Sequence, residues 1–132
     1  MHVLVTEALF GDADPLVEPL RETGCRVSRC HSRAGLCRAL APGSRCPLDG
    51  DDPPSLLVDV RGQGEEMTAR EFGTVCAVRA RVPIAMVSPD PAVPVEVPPG
   101  LENRVTVIDA EGLLDTCRAA ARSSRRPVAG PW

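Results

Sequence analysis

The side chains able to do chemistry fall into two groups. Thr6 and Glu7, Asp59, Ser88 with Asp90, and Asp109 each close or follow a short apolar run. Gathered on one edge of a sheet, such carboxylates repel. They call for a hydrated divalent cation, an arginine partner or a raised pKa. Cys30, His31, Cys37 and Cys46 form the second group, interleaved with Arg29, Arg33, Arg38 and Arg45. Together they can assemble a zinc or iron–sulfur site, or a redox thiol, although their spacing is not a recognised metal knuckle. Cys25, Cys76 and Cys117 sit beside apolar positions and read as buried, inert thiols.

Other chemistries are excluded by what is missing. All 15 Lys-plus-Arg positions are arginine, so Schiff-base and phosphate-loop lysine chemistry are impossible. Gly62-Gln63-Gly64 lacks a third glycine, and Glu65 and Glu66 would repel a pyrophosphate there. With His2 and His31 as the only histidines, no Ser-His-Asp or Cys-His catalytic set is expected. The formal net charge of -3 and an aromatic content of 2% argue against a nucleic-acid surface, which needs cations and stacking rings. No apolar stretch approaches a membrane span and the first residues do not read as a signal peptide, so a cytoplasmic setting with reduced thiols is expected.

The elements that must position these residues follow from hydrophobic spacing. His2 to Val5, Leu56 to Val60, Ile84 to Val87 and Arg104 to Ile108 read as strands, and Arg26 to Cys30 as a weaker one. Asp14 is expected to cap a helix carrying Leu16, Val17 and Leu20 and stopping at Gly24; Ser32 should cap a second bearing Leu36, Cys37 and Leu40. Thr68 and Glu71 match a capping box, with Phe72, Val75 and Cys76 at helical spacing after it. A last helix starts near Asp109, with Leu113, Leu114, Cys117 and Ala121 inward. Residues 89–100 hold too many prolines for a helix, and residues 41–55 form a long loop. The order predicts an α/β fold: a doubly wound, five-stranded parallel sheet with the helix before the last strand replaced by a Pro-rich loop. One domain over residues 1–122 is expected, followed by a disordered tail over 123–132.

In this order the segments resemble the response-regulator receiver domain. Leu56-Leu57-Val58-Asp59-Val60-Arg61 is similar to the family's strand ending in a phosphoacceptor aspartate, and Ile84-Ala85-Met86-Val87-Ser88 to its strand ending in a switch hydroxyl. The resemblance spans residues 2 to about 122 and implies a flavodoxin-like sheet. It places Asp59 as acceptor, Ser88 as switch, Thr6 and Glu7 at the acidic pair that holds magnesium, and Asp109 where the family has a phosphate-contacting lysine. Thr6 removes a hard anionic ligand and Asp109 reverses a charge, so magnesium binding and phosphoryl transfer are both disfavoured. The expectation is a degenerate pseudo-receiver, not an enzyme, with Asp59 unphosphorylated. It would act in signalling through a protein partner or a homodimer, using residues 89–100 and the last helix. The alternative is a metal or thiol redox sensor built on Cys30, His31, Cys37 and Cys46.

Overall fold

A computed structural model describes residues 1–31, 37, 39, 45–64 and 66–125. Five strands, β1 (His2–Glu7), β2 (Arg26–Arg29), β3 (Leu56–Val60), β4 (Ile84–Val87) and β5 (Val105–Val107), form one sheet in the order β2-β1-β3-β4-β5. Every pairing is parallel. Three helices accompany them: α1 (Asp14–Glu22), α2 (Gly73–Ala80) and α3 (Ala110–Arg125). This is a doubly wound α/β arrangement. The central strands β1, β3 and β4 are almost wholly buried and nearly continuous in apolar residues, as a parallel sheet covered on both faces requires. Among the described residues, no helix is long and apolar enough to cross a membrane.

Alternation along the strands divides the core in two. Val3, Val5, Val58, Val60 and Val87 face α1 and α3, meeting Leu16, Leu20, Leu113, Cys117 and Ala121. Leu4, Leu57, Ile84 and Met86 face the other way, toward Ala77 of α2. On that second face the Pro-rich segment before β5 does a helix's work. Val95, Val97 and Leu101 pack on the sheet, and the Glu96 N–H donates to the Gly62 carbonyl at 3.0 Å.

Several sequence expectations need correction. Ala13, not Asp14, is the N-cap of α1. Asp14 instead pairs with Arg29, Oδ1 lying 2.9 Å from Nη1. The turn before the helix is held by Glu7, whose Oε1 accepts from the Gly11 and Ala13 N–H groups at 3.1 and 3.0 Å. Gly24 does stop α1, at φ 95, a left-handed conformation that suits glycine. Glu71 folds back to accept from the Thr68 N–H at 2.8 Å, closing a short 3₁₀ turn (Ala69–Glu71) that leads into α2. The buried residues here are Glu71, Gly73, Thr74 and Ala77, while Phe72, Val75 and Cys76 are exposed. The inward pull of Glu71 on a buried arginine sets this phase in place of apolar spacing.

Asp109 caps α3 as its position suggests, accepting from the Gly112 N–H at 2.6 Å. Helix α3 runs on to Arg125, past the expected start of the tail. Most of the helix expected after Ser32 lies outside the described residues. Cys37 itself forms an antiparallel bridge with His31, a pairing of extended backbone that is incompatible with helix at that position.

Candidate functional site

Thr6 and Asp59 are direct partners in the β1–β3 register and so project to the same side of the sheet. The Thr6 hydroxyl donates to Asp59 Oδ1 at 2.9 Å, and Asp59 is fully buried. Beside them lie two further sealed groups, Arg61 and Glu71. Arg61 Nη1 is 3.2 Å from Glu71 Oε2, an ion pair without hydrogen-bond alignment. Arg61 Nη2 donates to the carbonyls of Gly64 and, at 3.1 Å, Glu66. Neither Arg61 nor Glu71 is apparent as a site residue from the sequence, because their partnership appears only once the loop after β3 meets the 3₁₀ turn.

Two carboxyls and one guanidinium share this dry space. Burial pushes the Asp59 carboxyl up to about 9, reinforced by hydrogen bonding and charge from Glu71, against the opposing pull of Thr6 and Arg61. At neutral pH Asp59 is therefore an uncharged acid. Its proton completes the charge balance of a cluster that otherwise holds one anion too many. Asp59 Oδ2 and Glu71 Oε2 have no hydrogen-bond partner among the described residues.

The other residues expected around Asp59 are occupied elsewhere. Glu7, one residue on from Thr6, projects the opposite way. Besides its two backbone N–H donors it faces Arg29 Nη2 at 3.2 Å and Arg70 Nη1 at 3.6 Å. The Ser88 hydroxyl donates to the Asp90 carbonyl at 2.7 Å, closing a local turn, and Asp109 is spent on its helix cap. Of the five expected residues, only Thr6 and Asp59 are in contact. Asp59 and Glu7 project to opposite sides of the sheet and Glu7 is paired with Arg29 and Arg70, so the two do not converge on one point as the anionic oxygens of a magnesium site must.

The cysteine group is rearranged in a different way. Cys30 directly follows β2 and is buried. Burial first, then the neighbouring thiols Cys37, Cys46 and Cys76, push it up to about 12. Cys76 joins this group from the exposed side of α2, contrary to its reading as an inert core thiol, whereas Cys25 and Cys117 are buried as expected. His31 pairs with Cys37 through its backbone. Its imidazole is lowered by burial and by Arg70, and it lines a cavity of about 620 Å3 with Glu7, Phe10, Arg29 and Arg70. There the Arg70 guanidinium stacks on the Phe10 ring, 4.9 Å from its centroid. Among the described residues, no three His, Cys, Asp or Glu side chains stand close enough to hold a metal ion.

No protein-family model, curated protein or solved structure matches the chain. The site must therefore be read from its own geometry. Asp59 is fully buried and bonded to Thr6, with no solvent-facing oxygen. Around the carboxyl ends of the strands, Leu9, Phe10, Phe72 and Val75 are exposed.

Proposed function

We propose that this chain is a receiver-like regulatory module that works through protein contacts and transfers no phosphoryl group. The observation that carries this reading is the complete burial of Asp59, whose Oδ1 accepts from the Thr6 hydroxyl at 2.9 Å. A nucleophile must be exposed and anionic, whereas Asp59 is buried and burial raises its pKa. The strand order 2-1-3-4-5 supports the flavodoxin-like class to which receivers belong. The exposed Leu9, Phe10 and Phe72 support a contact role, since both phenylalanines of the chain stand in solvent where a core would normally claim them. The test is incubation with acetyl phosphate and magnesium, followed by intact-mass measurement. No acyl phosphate should form; stoichiometric phosphorylation of Asp59 overturns the reading.

A second reading, a thiol redox sensor, draws on the gathering of Cys30, Cys37, Cys46 and Cys76. Against it stands the raised pKa of Cys30, which leaves little thiolate at neutral pH. Mild oxidation with diamide followed by peptide mapping separates the two. A disulfide joining Cys30 to Cys37 favours the sensor.

A further inference from the structure

A second constellation stands toward the amino edge of the sheet, independent of Asp59. His2 opens β1 with its ring 3% exposed, and its Nδ1 lies 2.6 Å from the backbone carbonyl of Asp52. A carbonyl only accepts, so Nδ1 carries the hydrogen, and in the neutral imidazole Nε2 is then the nitrogen with the free lone pair. Ser28 Oγ lies 2.7 Å from that Nε2, so the hydroxyl is the donor. This is a nucleophile hydrogen-bonded to a base that a third group orients, the geometry of an activated serine. The three residues come from distant parts of the chain. His2 and Ser28 meet because β1 and β2 pair in parallel with His2 opposite Arg26 and Leu4 opposite Ser28.

His2, Ser28 and Asp52 line one cavity of about 370 Å3, together with Arg26 and Arg45. Arg26 Nη1 holds Asp52 Oδ2 at 3.0 Å, and that carboxylate lies 3.9 Å from His2 Nδ1, near enough to offset a positive imidazole. We propose that Ser28 is an acyl-accepting nucleophile with His2 as its general base, acting on small carboxylic esters. This goes beyond the receiver-like reading and does not rest on it. Ser28 Oγ bonds to the acyl carbon while its proton passes to His2 Nε2, and the carbonyl electrons move onto oxygen. Collapse of that anion breaks the ester C–O bond, and the alcohol leaves with the proton from Nε2. Water then attacks the acyl-serine by the same proton path, releasing the acid and restoring the hydroxyl. Two arginines, Arg26 and Arg45, and two acids, Asp51 and Asp52, line the cavity, and Arg26 is paired with Asp52, which leaves Arg45 as the cation available to an intermediate that carries negative charge.

The test uses a fluorophosphonate, which serine attacks with loss of fluoride, because the six cysteines would confuse a nitrophenyl ester assay. Peptide mapping of the whole chain should place the adduct on Ser28 and find none in Ser28→Ala. In His2→Gln the labelling rate should fall about 10²-fold, the scale of general-base assistance. Circular dichroism checks that both variants are folded; should His2→Gln fail to fold, the comparison of wild type with Ser28→Ala decides alone. A folded wild-type protein with no adduct on Ser28 overturns the proposal, as does labelling at an unchanged rate in folded His2→Gln.

Discussion

Arg61 and Glu71 face each other at 3.2 Å with both side chains withdrawn from solvent, and their pairing fixes how α2 enters the fold. Glu71 holds the Thr68 N–H with one oxygen and Arg61 with the other. Arg61 in turn ties down the loop after β3 through the Gly64 and Glu66 carbonyls. Desolvating both ions is costly, so the pair adds little stability relative to an apolar replacement, but breaking it from one side leaves a charge stranded.

Arg61→Ala should therefore destabilise the chain by about 3–5 kcal/mol, read as a lower midpoint in urea. Glu71→Gln keeps an acceptor for Thr68 but strands the guanidinium, with a loss of similar sign. The double variant Arg61→Ala with Glu71→Gln should lose less than the sum of the singles, since neither then leaves an unpaired charge. Additive losses would show that the two residues act separately.

The neutral Asp59 gives stability a distinctive pH dependence. Its folded value of about 9 lies above the ordinary carboxyl value of 3.8, so between these limits the folded state binds a proton that the unfolded chain has released. Stability from this group is full below about pH 4 and falls as pH rises toward 9. The slope is at most about 1.4 kcal/mol per pH unit. Asp59→Asn preserves the shape, accepts from Thr6 and donates to Glu71 without a titrating proton. Urea midpoints measured from pH 5 to 9 should decline for the wild type and stay flatter for the variant; parallel curves would place the dependence elsewhere.

Much of this fold is legible because parallel strands and amphipathic helices announce themselves. Leu56–Val60 and Ile84–Val87 are strands over the span their apolar runs suggest, and Leu113, Cys117 and Ala121 of α3 point inward at helical spacing. The prolines of residues 89–100 correctly mark a crossover without a helix. The phase of α2 is not legible, because it is set by an inward glutamate, which hydrophobic spacing counts as solvent-facing. The same limit applies to the sites. Asp59, Ser88 and Asp109 are readable as strand-end residues, but whether such groups converge depends on side-chain parity and on arginines recruited from elsewhere. Ser28 and His2 carry no sequence signal, since they meet only through the register of β1 with β2.

The close approach of α2 to the sheet makes Gly73 a sensitive position. A methyl group there would stand 2.8 Å from Thr6 Cγ2 and 3.1 Å from Cys30 Sγ. Thr6 is locked by its bond to Asp59, so the clash cannot be relieved by a simple rotation. Gly73→Ala should cost about 1–3 kcal/mol, the range for overpacking, despite the better helix propensity of alanine. A thermal midpoint equal to or above that of the wild type would mean that the helix can slide away from β1.

At the other end of α2 the strain runs the opposite way. Arg81 is the helix C-cap and adopts φ 61, ψ 34, the left-handed conformation, and no other described non-glycine residue has positive φ. The conformation is imposed by the need to turn sharply into β4: the Arg81 N–H reaches back to the Val78 carbonyl at 3.2 Å, and the Val82 N–H to Ala77 at 2.9 Å. The Arg81 side chain is exposed and makes no salt bridge among the described residues, so its removal loses little. Glycine accepts this backbone without the clash between Cβ and carbonyl that costs other residues about 1–2 kcal/mol. Part of that gain is offset by the greater freedom of glycine in the unfolded chain. Arg81→Gly should therefore raise stability by about 0.5–1 kcal/mol, seen as a higher urea midpoint with an unchanged slope. Arg81→Val, with a branched Cβ in the same conformation, should lower it. A loss of stability in the glycine variant would mean that the arginine side chain contributes more than its backbone strain removes.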